Sequence, residues 1–264
     1  MTEITILIEN YAKDSFVHEH GLSFAIKQND KKVLFDVGAS DNFLINATKL
    51  NIDISEYKNV VLSHSHWDHT NGLKYLNNKN LIAHQDLFDP IYSKRTDEYI
   101  GVPLKIEEAK KKFSLELSKT PIEIFDDVIF LGEIPRTNNF ESQEAYDYDE
   151  NKNDDFVLND TALAILKNNS IIIVTGCSHS GIVNIMNYAK EVCEIDRIKA
   201  VIGGFHLRKL DSLAIGTIKH LKNEEDCIFY PMHCTSNEVV DYMTSHIGSN
   251  RVSRKVTGDS ISFK

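Results

Sequence analysis

The sequence has few cysteines and none of the short hydrophobic signals of an exported or membrane protein. Its four cysteines form no C-x-x-C pair, and a chain of 264 residues is too large to need a disulfide framework. No apolar run reaches membrane-spanning length. The first residues, Met1 to Ile4, lack the basic and apolar regions of a signal peptide. These absences predict a cytosolic protein with reduced thiols.

Positive charge is also scarce. The chain has 29 Lys and Arg against 39 Asp and Glu, a formal net charge of −10, and no dense basic block. Binding to nucleic acid depends on clustered Lys and Arg that neutralise phosphates. The composition therefore argues against nucleic acid and against an anionic membrane surface as partners. The acidity by itself is explained by solubility.

The chain does contain enough apolar material for a sizeable core. Its hydrophobic content is 42%, and its length allows one large α/β domain or two small ones. The first apolar segments follow one another closely and predict an antiparallel start to a sheet. Later strands alternate with helices, which are predicted at 42–50, 182–192, 212–222 and 237–246.

The chemistry of the sequence is concentrated at the end of one short apolar strand. Val60 to Leu62 is followed by His64, His66, Asp68 and His69. Residues two apart on an extended backbone share one face. Four side chains of metal-ligand type within six positions would be poorly satisfied in a protein interior without a metal. They exceed what one site with an open position uses, so the spacing predicts two metals.

Other histidines stand at the ends of other predicted strands. In the second half, His179, His206 and His233 each follow a strand and precede a helix. In chains of alternating strands and helices, sites lie at the carboxyl ends of the strands. Three such histidines in series predict a pocket at this edge. His20 and His84 lie beside strands of the first half, where a pocket residue and a surface residue are equally consistent with the pattern.

The string from His64 to His69 fits the H-x-H-x-D-H signature, and the chain resembles the metallo-β-lactamase superfamily. Further segments are similar to the subfamily of 7,8-dihydropterin-6-yl-methyl-4-(β-D-ribofuranosyl)aminobenzene 5′-phosphate synthases; in order, they are Glu19–Ser23, Leu34–Gly38, Gly132–Arg136, Thr175–Gly181, Gly203–His206 and His233–Thr235. The resemblance covers nearly the whole chain. It implies an α/β (α+β) fold, the four-layer αββα sandwich, as a single domain over residues 1–264 with its site at one edge.

The resemblance also implies roles for residues outside the signature. An aspartate at the position of Asp36 lies beside the metal loop, where it can hold a ligand histidine by a hydrogen bond. Many members carry a ligand histidine after the strand that here precedes Gly132, but this sequence has no His between His84 and His179. We therefore expect His179 to supply the missing imidazole. Cys177 stands where many members have a bridging aspartate, and is either a thiolate ligand or a small buried residue.

The expected metal ligands form two sets, His64, His66 and His179 for the first metal and Asp68, His69 and His233 for the second. Zn is the expected metal, with Mn and Fe left open. Arg136 is either an anion clamp or an ordinary surface residue, and His206 either a ligand or a substrate contact. The expected substrate contacts are His20, His84, Arg136, Cys177 and His206.

The expected activity is that of a metal-dependent hydrolase or phosphoesterase, which acts on a small anionic substrate through a metal-activated water. Asp68 would also steer the proton of the nucleophile. One alternative is the synthase reaction of the resembling subfamily, which forms a C–C bond with loss of pyrophosphate. Another is a di-iron redox protein, against which the lack of a flavin-binding segment counts. A non-catalytic binding module is disfavoured because the ligand residue types are intact. Substrate, metal and oligomeric state are left open.

Overall fold

The computed structural model describes residues 1–264. Contacts between residues divide the chain into two compact units. The first unit comprises Met1–Lys119, Ala145–Asn159 and Val256–Lys264, and the second comprises Thr120–Glu144 and Asp160–Lys255. None of the helices combines the length and the apolar character that crossing a bilayer requires. The single domain over residues 1–264 stays a prediction.

The strands, numbered along the chain, are β1 (Thr2–Ile8), β2 (Ser23–Gln28), β3 (Lys31–Phe35), β4 (Asn59–Val61), β5 (Lys79–Ala83), β6 (Ile91–Ser93), β7 (Phe113–Leu117), β8 (Ile122–Phe125), β9 (Val128–Phe130), β10 (Asp147–Asp149), β11 (Asp154–Asp155), β12 (Ala162–Leu166), β13 (Ile171–Thr175), β14 (Ile198–Gly204), β15 (Ile228–Met232) and β16 (Ser260–Phe263). The helices are α1 (Asn42–Lys49), α2 (Trp67–Thr70), α3 (Ile106–Lys112), α4 (Ile182–Cys193), α5 (Ser212–Lys222) and α6 (Asn237–Ile247).

The first unit is built on a seven-stranded sheet in the order β16-β1-β2-β3-β4-β5-β7. The strands from β16 to β3 are antiparallel, as the sequence predicts, and β3, β4, β5 and β7 run parallel. Leu34, Val60 and Leu81 pack with Phe43 and Ala47 of α1 in one apolar cluster. Because β3, β4 and β5 are parallel, their carboxyl ends lie along one edge of the sheet.

A smaller three-stranded sheet, in the order β11-β10-β6, completes the first unit. Two of its strands, β10 and β11, come from the acidic segment 141–155, which its polar composition would favour as a mobile loop. Asp147 and Tyr148 are buried on β10, and the ring of Tyr148 stacks on that of Tyr92 with centroids 5.8 Å apart and planes at 17°. Pairing with a strand distant in sequence orders this segment, although its own composition is polar.

The second unit is built on a six-stranded sheet in the order β15-β14-β13-β12-β9-β8. The strands β13, β14 and β15 are parallel, and the rest are antiparallel. Helices α4, α5 and α6 bury one face against this sheet, in a cluster that includes Ile173, Ile185, Met186, Val201, Ile218, Phe229, Val239 and Met243. The carboxyl ends of the three parallel strands share one edge, and the predicted site residues of this half follow them.

The starts of α5 and α6 are determined by capping side chains. Asp211 accepts a hydrogen bond from the N–H of Ala214 at 3.0 Å, and Ser236 accepts one from that of Val239 at 3.3 Å. These bonds satisfy N–H groups that have no partner inside the helix. Each helix therefore begins directly after the turn that follows β14 or β15.

Candidate metal centre

The histidine-rich loop of the first unit follows β4 and leads into the short helix α2. His66 has an extended backbone and forms the N-cap of α2. His64 and His69 are fully buried, and His66 and Asp68 are 8% and 6% exposed. The ring centroid of His64 lies 4.7 Å from that of His66 and 4.3 Å from that of His69. Three imidazoles and one carboxylate thus share a buried region at the carboxyl end of β4.

Asp36, at the end of β3, accepts hydrogen bonds from residues of this loop. Its Oδ1 accepts the N–H of Ser63 at 2.8 Å, and its Oδ2 accepts the hydroxyl of Ser63 at 2.7 Å and Nδ1 of His69 at 2.6 Å. The residue is fully buried and has a left-handed backbone with φ +55°. Strained conformations of non-glycine residues concentrate at functional sites. Asp36 thus makes the contacts that the resemblance assigns to it.

These bonds determine which nitrogen of each ring carries the proton. The carboxylate of Asp36 can only accept, so Nδ1 of His69 donates. The hydroxyl of Ser63 donates to Asp36, so its oxygen accepts the hydrogen bond of 2.9 Å from Nδ1 of His64. In both rings the nitrogen with the lone pair is therefore Nε2. Neutral imidazoles oriented in this way through Nδ1 are typical of metal ligands.

Asn159 supports the same loop through a pair of reciprocal hydrogen bonds. Its Oδ1 accepts the N–H of Ser65 at 3.1 Å, and its Nδ2 donates to the hydroxyl of Ser65 at 3.2 Å. Asn159 was not among the predicted site residues, because an isolated asparagine in a loop has no spacing signal. Its neighbour Asp160 supports the corresponding loop of the second unit, as described below.

Two more side chains of the first unit lie against the histidine loop. Nε2 of His20 is 3.3 Å from Oδ2 of Asp68, and the His20 side chain is 61% exposed. Nε2 of His66 is 3.3 Å from Oδ2 of Asp147, which is buried on β10. Asp147 was not among the predicted site residues, because it lies in an acidic stretch without apolar alternation. Asp68 thus lies beside an exposed imidazole, whereas Asp147 lies beside a buried one.

His84 follows β5 and is fully buried. Its Nδ1 accepts the backbone N–H of Asp86 at 3.2 Å, and Asp86 pairs with Lys119 at 2.8 Å. His84 is therefore not a surface residue. Within the first unit, the bond to Asp86 stabilises the turn after β5.

In the second unit the ends of β13, β14 and β15 bring predicted residues together. His179 is 9% exposed, His233 is 5% exposed and His206 is half-buried. The ring centroids of His179 and His206 are 4.2 Å apart. His206 and His233 have left-handed backbones, with φ +52° and +48°. The three histidines thus follow the ends of β13, β14 and β15, and their role in chemistry stays a prediction.

The turn that carries His179 is held by the buried carboxylate of Asp160. Oδ2 of Asp160 accepts the N–H of Ser180 at 2.9 Å as well as its hydroxyl. Burial raises the pKa of Asp160, against the opposing effects of these hydrogen bonds and of the positive charge of Arg136. On the other side of the turn, Ser178 donates its hydroxyl hydrogen bond to the carbonyl of Gly204 at 2.6 Å.

Glu141 supplies the cap that helix α4 lacks at its own N-terminus. The N-cap residue is Gly181, with φ +97°, and a Cβ there would lie 2.4 Å from Oε2 of Glu141. The carboxylate of Glu141 instead accepts the N–H groups of Val183 and Asn184, both at 3.0 Å. Burial raises the pKa of Glu141 despite these bonds. A glycine turn thus makes room for a carboxylate from a distant segment.

Arg136 lies near this support rather than alone on the surface. Its Nε donates to the hydroxyl of Ser142 at 2.7 Å, and its side chain is half-buried. Its charge acts on Asp160, as noted above. The bond to Ser142 helps to order the segment around residue 142.

Cys234, directly after His233, was also not predicted as a site residue. Its Sγ accepts the N–H of His206 at 3.3 Å and donates to the carbonyl of Cys177 at 3.5 Å. Burial opposes ionisation of the Cys234 thiol. Hydrogen bonds from Cys177 and His206, with the charges of His206 and His233, nevertheless lower its pKa well below the usual range. The sequence signal that could have identified Cys234 as a site residue is its position directly after His233, a predicted ligand.

The donor set of the first unit fits divalent transition metals. Imidazole together with carboxylate oxygen suits Zn, Mn and Fe. The hydrogen bond between His69 and Asp36 is the carboxylate–histidine arrangement that orients metal ligands. The residues present therefore fit a divalent transition metal, whose identity and number stay predictions.

Comparisons with known proteins show the family to which this chain is similar. The family model of the metallo-beta-lactamase superfamily matches residues 18–84. An uncharacterized protein of Methanocaldococcus jannaschii is 35% identical over 258 residues, which are 93% of this chain and 98% of the relative. The 7,8-dihydropterin-6-methyl-4-(beta-D-ribofuranosyl)-aminobenzene-5′-phosphate synthase of the same organism is 33% identical over 256 residues, 88% of this chain and 87% of the relative.

A solved structure shows the same architecture. The crystal structure of a metal-dependent hydrolase of the β-lactamase superfamily is similar with a TM-score of 0.88 and 28% identity, covering 100% of this chain and 99% of that chain. The fold class expected from the sequence is thereby confirmed, as is the similarity to the pterin-related synthase. This chain belongs to the metallo-β-lactamase superfamily.

Proposed function

We propose that this protein is a metal-dependent hydrolase of the phosphoesterase type, which acts on a small anionic substrate. The observation that supports it most directly is the similarity over 100% of the chain to a solved metal-dependent hydrolase. In a chain with a net charge of −10, bound cations would supply the localised positive charge that attracts an anion.

The proposal assigns six residues as ligands of two divalent metals, with Zn as the first choice and Mn or Fe as alternatives; they are His64, His66, Asp68, His69, His179 and His233. When bound, such cations lower the pKa of a water and stabilise the negative charge that develops on a substrate. The burial of these residues, each 9% exposed or less, supports the assignment. Buried groups of this kind are normally paired or coordinate metals.

The other residues of the first unit have supporting roles in this proposal. Asp36 and Ser63 hold His69 and His64 with Nε2 as the ligand nitrogen. Asp68 accepts a hydrogen bond from the attacking water and so orients it. His20 is proposed as a substrate contact, since it is exposed and lies next to Asp68.

Roles in substrate binding also remain proposals for residues elsewhere in the chain. His84 is a weaker assignment than His20, because its Nδ1 is already bonded to the turn at Asp86. Arg136 is proposed to bind the anion through its guanidinium group. For Cys177 and His206, contact with substrate and binding of a metal both remain proposals. The cytosolic location and the absence of nucleic-acid and membrane partners likewise stay predictions.

A second function is favoured by the 33% identity to the pterin-related synthase over 88% of this chain. A synthase of this kind would join two substrates, with pyrophosphate as the leaving group. In that case the same residues would bind a diphosphate instead of orienting a water. The two functions differ in their products, so they can be separated without knowing the metal.

The first experiment is elemental analysis of purified, chelator-free protein. We expect a bound transition metal, reduced in His66→Ala and in His179→Ala and unchanged in His246→Ala. His246 is an exposed residue of α6 and serves as the matched control. Protein that carries no transition metal would overturn the proposal.

The second experiment identifies the reaction. Phosphodiesters, lactones and pterin phosphates are incubated with the metal-loaded protein in isotopically labelled water. Hydrolysis incorporates solvent oxygen into a product. A condensation product that contains both substrates, with no solvent oxygen incorporated, would contradict the hydrolase and favour the synthase.

A further inference from the structure

The second unit contains another group of metal-ligand side chains, apart from the six proposed ligands. Cys177, His206 and Cys234 follow the parallel strands β13, β14 and β15. One ligand atom from each residue lies within 4.8 Å of those from the other two. Cys177 is 4% exposed, and His206 and Cys234 are half-buried. Two thiols and one imidazole therefore meet at the edge of one sheet.

Two glycines at the end of β14 make this approach possible. A Cβ on Gly204 would lie 2.5 Å from Sγ of Cys234 and 3.4 Å from Cα of Cys177. Gly203 has φ +131°, and a Cβ there would lie 2.0 Å from the carbonyl oxygen of Thr175. Any side chain at position 204 would displace the Cys234 thiol. The strand end is thus shaped so that both thiols reach the same place.

The backbone of His206 also contributes to this group of ligand residues. Its φ of +52° lies in the left-handed region, which histidine adopts more readily than most non-glycine residues. In this conformation the N–H of His206 donates to Sγ of Cys234 at 3.3 Å. Backbone N–H groups that donate to sulfur stabilise a thiolate, the form of cysteine that binds metals.

We propose that Cys177, His206 and Cys234 form a binding site for a soft or borderline divalent cation such as Zn²⁺. Two thiolates and one imidazole are a ligand set that zinc adopts in tetrahedral geometry. Three protein ligands leave the fourth position for a water or a substrate atom. Each cysteine binds the cation as a thiolate, and any proton still on its sulfur passes to solvent as the cation binds.

This site does not depend on the proposed hydrolase function, because it uses none of the six ligands assigned above. It does lie beside one of them, since the rings of His206 and His179 have centroids 4.2 Å apart. The alternative to metal binding by these two neighbouring thiols is a disulfide between Cys177 and Cys234. A test must therefore detect sulfur bound to metal, rather than metal alone.

Titration of metal-free, reduced protein with cobalt(II) chloride makes that distinction. Cobalt bound to thiolate gives an intense charge-transfer absorption in the near ultraviolet, which imidazole and carboxylate ligands do not give. We expect this band in the wild-type protein. We expect the Cys177→Ser/Cys234→Ser double variant to lose this band. The variant should also bind about one cobalt per chain fewer than the wild type, the content of one three-ligand site. Cys193→Ser is the matched control, because Cys193 is a free, half-buried cysteine at the end of α4.

Two further variants keep the test independent of folding and of the hydrolase proposal. His206→Asn removes the imidazole while asparagine tolerates the left-handed backbone, so we expect weaker cobalt binding with unchanged far-ultraviolet circular dichroism. His66→Ala should retain the thiolate band even though it loses other metal.

The proposal is overturned if saturating cobalt gives no thiolate band, or if the band survives in the double variant. If the wild-type protein shows the thiolate band but has no hydrolase activity, the result supports this site and contradicts only the proposed function.

Discussion

The carboxylate of Asp36 and Nδ1 of His69 are joined by a hydrogen bond of 2.6 Å in which neither side chain is exposed. The same carboxylate also holds Ser63, through which it orients His64. One residue at the end of β3 therefore determines the ring orientation of two proposed ligands. Partners of this kind raise the basicity of a histidine ligand and fix its tautomer.

Asp36→Asn should weaken metal binding by about 10–100-fold, the usual loss when such a partner is removed. Asparagine preserves the shape of the side chain and tolerates φ +55°. Its NH₂ group, however, cannot accept the hydrogen bond that the replaced carboxylate oxygen accepted. The measurement is competition with a chelator of known affinity. Asp53→Asn, an exposed residue that caps the N–H of Ser55, is the control and should leave the affinity unchanged. Equal affinity in both variants would show that Asp36 does not orient a ligand.

Asn159→Ala should destabilise the histidine loop. The change leaves the buried N–H of Ser65 without its acceptor, at a cost of roughly 1–3 kcal/mol in the free energy of unfolding. Urea unfolding measures this loss. Asn80→Ala removes an exposed side-chain hydrogen bond to Asn59 and should change stability by less than about 0.5 kcal/mol. Similar losses in the two variants would contradict the assigned role of Asn159.

Two glycine-to-alanine substitutions should have opposite effects. At Gly72 a Cβ would lie 2.1 Å from the carbonyl oxygen of Val37 and 2.9 Å from the ring of Phe43, so we expect a loss of about 1–3 kcal/mol or more. Gly216 lies inside α5 with open space around its Cα, so alanine should stabilise by about 0.5–1 kcal/mol. Thermal unfolding of the two variants against wild type measures both signs. A stabilised Gly72→Ala protein would mean that the contact to Val37 is looser than described.

The raised pKa of Glu141 has a consequence for stability as a function of pH. Burial raises it above 4.5, so the native protein binds this proton more readily than the unfolded chain does. The contribution of Glu141 to the free energy of unfolding is fully present below about pH 4.5. It is lost as the pH rises through the pKa of Glu141 in the native protein. Comparison with Glu141→Gln isolates the effect: the free energy of unfolding of wild type minus that of the variant should fall between acidic and neutral pH. A difference that is constant over this range would contradict the prediction.

Much of the framework could be predicted from the sequence because it depends on local patterns. The helix predicted at 212–222 is found at Ser212–Lys222, where its apolar period and the cap Asp211 agree. The strand that ends before His64 is also found, one residue earlier than predicted, as β4. Long apolar periods and capping residues are read within a few residues of chain, so distant contacts do not change them.

The parts that escaped prediction depend on partners distant in sequence. Strand β10 is three polar residues long and exists because it pairs with β6, about 55 residues earlier. After His66 the chain forms the short helix α2 and then a 3-10 helix at Asn71–Tyr75, where Gly72 packs against the backbone of Val37. Asn159, Asp160 and Cys234 were missed for the same reason, since their partners are loops that only the folded chain brings near.

The turn between β12 and β13 consists of two exposed asparagines, Asn168 and Asn169, both with left-handed backbones. It lies at the opposite end of β13 from the turn that carries His179, because the strand runs from Ile171 to Thr175 between them. A fluorophore or an affinity handle inserted at this hairpin would therefore report on the protein, or immobilise it, at a distance of a whole strand from the chemistry of that sheet.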